Sequence, residues 1–369
     1  MLRPRAREVG IWFGETPTGP RNMITDVAGV RVGHCTVIKG SGKLKVGKGP
    51  VRTGVTAILP HPKDLYREPV KAAYFDFNGC GGLQGALQIR EFGLIDTPIV
   101  LTNTMGMGPA CDGVIKHILK SNPQAGITED TIIPVVSECD DSFLNDSRGL
   151  HVKEENVYTA LTDAREQVLE GSVGAGTGMT CHDFKGGIGT SSRVVATGGE
   201  KYTIGSIVMT NHGDKNELRI DGVPVGAFIE LPENRRVEQG SIVIVVGTDA
   251  PLDSRQLGRI ARRAFLGLAV TGSHSGNGSG DIALAFSTAN IHRRGKDENL
   301  QTNQLLQDRL LNPVFRATVD SVAESIINSL FRAQTIVGRD GNTSRALPID
   351  QTIEIMKQHG RLDGRPGRR

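Results

Sequence analysis

The chain has 369 residues, 38% hydrophobic and 22% charged, which excludes a globally disordered protein. Its 43 basic and 40 acidic side chains leave a net charge of +3, and 4% aromatic content leaves no base-stacking surface, so a nucleic-acid or membrane-surface protein is excluded as well. The unusual figure is 47 glycines, which points to tight turns and close backbone approaches rather than a helical bundle.

The first residues, MLRPRAREVGIWFG, are basic but carry no apolar stretch long enough for a signal sequence. No window approaches the eighteen apolar residues of a membrane span, so a soluble, cytoplasmic chain is expected. A strand is expected over 30–38, then a polar linker over 39–48 and a strand over 54–59. A short helix over 83–91, a strand over 98–101, a helix over 113–119 and a strand over 131–136 follow. A helix over 155–169 opens with acids, as a helix N-terminus prefers. Strands over 192–196 and 202–209 lead to a second linker, 231–239, and then to the strongly apolar strand 241–246.

The clearest helix is 254–268. Leu257, Ile260, Ala261, Ala264, Phe265 and Leu268 make one apolar face, and Arg255, Arg259, Arg262 and Arg263 occupy the other. Asp253 or Ser254 is its expected N-cap. A strand over 281–285, helices over 314–332 and 350–359, and a flexible basic tail over 361–369 complete the chain. The irregular mixture gives a layered α/β or α+β protein, and composition does not choose between the two.

Three glycine-rich segments, 174–179, 186–192 and 276–281, invite a nucleotide reading. None follows a strand and opens a helix as a dinucleotide fingerprint must, and no P-loop is present. They read as tight turns, or as backbone amides presented to a ligand. The nine histidines form no metal motif, so no metal and no cofactor are expected, and His34 reads as a core or edge residue. Cys35, Cys80, Cys111, Cys139 and Cys181 are odd in number and widely spaced, which argues against a disulfide framework or a zinc site. No G-x-S-x-G elbow occurs. The acids Glu138, Asp140 and Asp141 follow an apolar run, where carboxylates line a cleft and hold a cation or a substrate ammonium; a solvated loop is the competing reading. Gly240-Ser241 is a strand start, and on the residues alone nothing marks Ser241 as a nucleophile.

Longer motifs carry more. GSIVIVVGTDAPLDSRQLGRIARR (240–263), GSHSGNGSGDIALAFS (272–287), ITDVAGVRVGH (24–34), VGKGPVRTGVTAI (46–58), FKGGIGTSSRVV (184–195) and TNHGDKNELRIDGVPVG (210–226) span most of the chain. Together they resemble the DmpA-type aminopeptidases, that is, the L-aminopeptidase/D-esterase/amidases and the β-peptidyl aminopeptidases. The resemblance implies a four-layer αββα sandwich and one domain that cuts itself between Gly240 and Ser241, giving chains 1–240 and 241–369. Ser241 would then be the nucleophile, its freed α-amine, with a pKa of about 7.7–8.0, the base. Ser279 and Asp281 match the pair that assists it, Asn211 the oxyanion donor, and Glu138 the acid that binds the substrate's amino group. Small peptides, amino-acid amides or esters are the implied substrates, with no cofactor, and a homotetramer the implied assembly.

Two departures stand out. Asp140 occupies a position where some members carry a tyrosine, which implies a preference for basic amino-terminal residues, and the region before Gly240 is shorter than in some relatives. A self-processed acyltransferase of the ornithine acetyltransferase type is the alternative enzyme, although that group uses a threonine nucleophile. A non-catalytic homologue is the alternative outside enzymes.

Overall fold

A computed structural model describes residues 3–232, 240–294 and 301–362. Most of the expected linker 231–239 and of the expected tail 361–369 therefore lies outside the described residues. The chain forms β1 (Arg31–Lys39), β2 (Val51–Leu59), β3 (Val70–Gly79), the short β4 (Leu83–Gln84), α1 (Ala86–Phe92), the short β5 (Leu94–Ile95), β6 (Ile99–Asn103) and α2 (Met107–Ser121). Then come β7 (Val135–Cys139), α3 (Glu154–Thr162), the small hairpin β8 (Thr180–Cys181) and β9 (Phe184–Lys185), β10 (Gly187–Thr197) and β11 (Glu200–Asn211). β12 (Ser241–Thr248), α4 (Ser254–Val270), β13 (Gly280–Ser287), α5 (Asn312–Arg332) and α6 (Ile349–Gln358) follow.

Two sheets dominate, with strand orders β1-β2-β6-β7-β4 and β10-β11-β12-β13-β3-β5. β6 runs parallel to β7 through α2, and β12 parallel to β13 through α4, the long crossover that parallel pairing requires. β12 reads SIVIVVGT and is buried along its whole length, because both of its faces are covered. Val243 and Val245 join Val32, Ile58, Leu101, Ile207 and Leu284 in the core between the sheets. Ile242, Ile244 and Val246 face the other way, onto Leu257 and Phe265 of α4 and Val322 and Ile326 of α5. Val55, Val100 and Val136 of the first sheet take Val114 of α2 and Val157 of α3 on their outer side. Helices, sheet, sheet and helices stack in that order, so the expected αββα sandwich is the fold.

Close approach between layers depends on small residues. A Cβ on Gly189 of β10 would collide with the Ser325 carbonyl of α5. The same face buries a charge network: Glu324 of α5 meets Arg193 at 2.8 Å and Arg7 at 2.7 Å, with Glu324 and Arg193 fully buried.

The expected elements stand with shifted ends. Asp253 is the N-cap of α4, accepting from the Gln256 N–H at 2.7 Å. The helix expected over 155–169 stops at Thr162, since Arg165 exchanges two backbone hydrogen bonds with Val32 of β1, each 3.0 Å. The strand expected over 131–136 is displaced to Val135–Cys139 and takes Glu138 into the sheet. β3 is an addition, its polar Lys71, Asp76 and Asn78 having masked it. His34 is a core residue, its Nδ1 3.0 Å from Thr56 Oγ1, and burial pushes its pKa down to about 4. No helix among the described residues is long and apolar enough to cross a membrane.

Candidate active site

Strand register brings the sequence-distant residues together. Asn211 at the end of β11 pairs with Ser241 at the head of β12, and Ser241 pairs with Gly280 at the head of β13. Ser279 and Asp281 flank Gly280 and are buried, with Ser279 Oγ donating to Asp281 Oδ1 at 2.7 Å. Burial pushes the Asp281 carboxyl above the usual range, against the hydrogen bonds from Ser279, Ser275 and the Ile242 backbone.

The peptide bond before Ser241 is closely held. The Gly240 carbonyl oxygen accepts from the Gly280 N–H at 3.0 Å and from Ser241 Oγ at 2.6 Å. A Cβ on residue 240 would lie 3.2 Å from Ser279 Oγ, so glycine leaves that hydroxyl its room beside the bond. Asn211 is gripped at both ends, its Oδ1 accepting from the Thr180 N–H and its Nδ2 donating to the Asp140 carbonyl, each at 2.9 Å. That grip fixes the direction of the amide.

A cleft of about 900 Å³ opens over this corner. Ser241, Gly240, Asn211, Glu138 and Asp140 line it, while Ser279 and Asp281 lie behind its wall. Glu138 is 5% exposed, with Oε1 accepting from the Gly82 N–H at 2.7 Å and Oε2 from the Thr104 hydroxyl. Burial pushes its carboxyl up; Thr104 and Gly82 pull it back, and Asp140 adds to the rise. Asp140 accepts from the Ser142 N–H at 2.9 Å and from Ser142 Oγ at 2.7 Å, which caps the turn after β7. Asp141 turns inward, fully buried against Asn145, and burial pushes its carboxyl up to about 7. The solvated-loop reading is thereby corrected for two of these acids: Glu138 lies within the buried strand β7, and Asp141 belongs to the interior, while Asp140 is half-buried in the turn between them.

The structure gathers all seven expected site residues, Gly240 included, at one corner. Sequence reasoning missed the backbone partners, Gly82 and Gly280, and the Thr104 hydroxyl. Gly280 lies in the glycine-rich segment 276–281, which the sequence offers as a source of backbone amides without naming their partner. Lys185 was also missed: it is fully buried, donating to the carbonyls of Gly176, Met179 and Gly186 at 2.7–2.9 Å.

A serine at the head of an inner strand, facing a cleft that ends in a buried carboxylate, defines a hydrolase-type corner of an αββα sandwich. Solved structures of the same shape exist. The PH0078 protein from Pyrococcus horikoshii OT3 superposes with a TM-score of 0.93 at 49% identity, over 97% of this chain and all of that one. The L-aminopeptidase D-Ala-esterase/amidase from Ochrobactrum anthropi superposes at 0.90 with 38% identity, over 98% of this chain and 100% of that one. The latter enzyme is described as a prototype of the serine aminopeptidases and a variant of the Ntn-hydrolase fold. The β-peptidyl aminopeptidase BapA of Sphingosinicella microcystinivorans is 42% identical over 376 positions, 97% of this chain and 93% of that protein. The model of Peptidase family S58 matches residues 22–344. The chain belongs to Peptidase family S58, in agreement with the resemblance drawn from its motifs.

Proposed function

We propose that this protein is a serine aminopeptidase that first cuts its own Gly240–Ser241 bond and then releases amino-terminal residues from small peptides, amino-acid amides or esters. The observation that carries the reading is the Gly240 carbonyl, held by the Gly280 N–H and touched by the hydroxyl of the next residue. In the self-cleavage, Ser241 Oγ bonds to the Gly240 carbon. The Gly280 N–H stabilises the charge that develops on the oxygen, a donor of a kind worth about 10²–10³ in rate. The Ser241 nitrogen leaves as an amine, taking up a proton, and water hydrolyses the resulting ester to a Gly240 carboxylate and a free serine. No α-amine exists before the cut, so the Ser279–Asp281 pair beside the bond serves as the proton relay.

After the cut, the Ser241 amine stands next to its own hydroxyl with a pKa near working pH, about 7.7–8.0. Ser241 Oγ attacks the substrate carbonyl, the amine passes the proton to the leaving group, and water releases the acyl-enzyme. Asn211 donates to the oxyanion and Glu138 receives the substrate ammonium, a role its burial and two neutral donors support. An intact-mass spectrum tests the reading. Wild-type protein should resolve from 39.5 kDa into species of about 26 and 14 kDa, in proportion to length, the lighter beginning Ser-Ile-Val. Ser241→Ala should stay whole and hydrolyse no alanine amide. Hydrolysis by that variant, or an uncut wild type, would refute the assignment.

A further inference from the structure

We infer that Cys181, His182 and His212 form a site for a Zn²⁺-class cation, bound by one thiolate, two imidazoles and a water, outside the serine cleft. β8 ends in Cys181, His182 opens the turn to β9, and His212 follows Asn211 at the end of β11. The His182 N–H donates to the His212 carbonyl at 2.7 Å, tying the two segments together. All three side chains are buried, and one donor atom from each lies within 4.8 Å of the others.

The spacing suits a small tetrahedral ion. Zn–S of about 2.3 Å and Zn–N of about 2.0–2.1 Å put sulfur and nitrogen about 3.6 Å apart. Cys181 Sγ and His212 Nε2 already stand 3.8 Å apart. The other two edges need to close by at most about 1.5 Å, within reach of side-chain rotation. His182 has the outer contact expected of a ligand: its Nδ1 lies 3.0 Å from the Asp214 carbonyl, which makes Nδ1 the protonated nitrogen and leaves Nε2 the lone pair. That Nε2 is buried and has no hydrogen-bond partner, an arrangement that costs free energy unless something fills it.

The local charge fits too. On binding, Cys181 gives up its thiol proton to solvent, so the ion and its thiolate carry a single net positive charge. Asp183, Asp214 and Glu217 face His182 and offset it, while burial pushes the neighbouring Lys185 down to about 7, which eases its repulsion of a cation. A water as fourth ligand completes the tetrahedron. Such an ion would clamp the β8–β9 turn to the residue after Asn211, and so hold the oxyanion donor from behind.

The test is elemental analysis of the full chain, produced without an affinity tag in zinc-supplemented medium and purified without chelator, because a buried site fills as the chain folds. Wild type should carry about one zinc per chain, and Cys181→Ser and His182→Gln below about a tenth. Cys111→Ser, in α2 and outside the cluster, should match wild type. Growth with Co²⁺ should give a thiolate-to-cobalt charge-transfer band that Cys181→Ser lacks. Wild type without zinc overturns the inference, as does zinc retained in either folded ligand variant. Ser241→Ala should keep its zinc, so the failure of one assignment is distinguishable from the failure of the other.

Discussion

Replacing Glu138 with glutamine probes what the cleft recognises. The swap keeps the shape: the amide oxygen still accepts from the Gly82 N–H, and the amide NH₂ donates to the Thr104 hydroxyl instead of accepting from it. What goes is the charge. A substrate ammonium about 4 Å from a carboxylate gains about 4 kcal/mol at an effective dielectric of 20. A neutral hydrogen bond retains about 1 kcal/mol of that. The relieved burial of the carboxylate returns a little more, so the net loss is about 2–3 kcal/mol, or about 30- to 160-fold in kcat/KM. The assay compares alanine p-nitroanilide with its N-acetyl derivative in both proteins. The loss should fall on the free amine alone, narrowing the selectivity between the two. A pH profile adds a second readout. In its proposed role Glu138 binds the ammonium only as carboxylate, and burial raises its pKa, so kcat/KM should fall with acidification at a higher pH than an ordinary glutamate would give. Glu138→Gln should remove this step and keep the one set by the Ser241 amine. A loss under about threefold, or an equal loss on the acetylated substrate, would refute the reasoning.

Asn211→Ala should lower kcat by about 10²–10³ with a smaller change in KM, since the amide acts on charge that develops in the transition state; steady-state kinetics on the same amide checks it. Asp140 lines the cleft as an acid, so substrates with amino-terminal Lys or Arg should turn over faster than alanine substrates. Asp140→Asn keeps acceptance from the Ser142 N–H at its amide oxygen, with its NH₂ donating to Ser142 Oγ, and should lower that ratio several-fold; an unchanged ratio rejects the role. Glu324→Ala removes the carboxylate that ion-pairs with Arg193 and Arg7 at the sheet–helix contact and should cost about 3 kcal/mol in urea unfolding, their bonds to backbone carbonyls remaining. Burial pushes the Glu324 carboxyl up, but Arg193 and Arg7 outweigh it and hold it below the ordinary value. Its contribution is therefore full above the unfolded-state pKa of glutamate and lost as pH falls through the depressed folded value, a dependence the variant should lack.

Legibility in the sequence followed how local each signal is. α4 was readable because its period and its cap are written within seventeen residues, and all six residues expected on its apolar face are buried. β12 was readable as an unbroken apolar run. β3 was not, since a strand held between β13 and the short β5 needs few β-branched residues of its own. The end of α3 was set by pairing with β1, a tertiary competitor invisible to helix periodicity. At the site, the acids of 138–141 showed as a cluster, whereas Ser241 was legible only through motifs, because a serine at a strand start has no chemical signature. The Gly280 amide showed only through its glycine-rich segment, without a partner: its part is played by backbone, and any residue type has that. Cys181 and His182 lie far from His212 in sequence, and only the β8–β11 contact joins them.

On the proposed reading the same few groups serve two acyl transfers in turn, and the fold accounts for this without rebuilding the corner. Before the cut, the carbonyl at the nucleophile is the protein's own, held by Gly280. Afterwards, that carbonyl becomes the terminal carboxylate of the first chain and must move aside for a substrate. Ser241 cannot follow it. Its strand is hydrogen-bonded to β11 on one side and β13 on the other, and its side chains are buried in two different cores. On the proposed reading, cutting the chain thus frees only what precedes the strand. Gly240, with no side chain against Ser279 Oγ, is the segment least hindered from leaving. The new amine inherits the position its nitrogen already held, beside Ser279 and opposite Asn211. Self-cleavage therefore creates the base and empties the acyl site in one event, while register keeps the nucleophile in place.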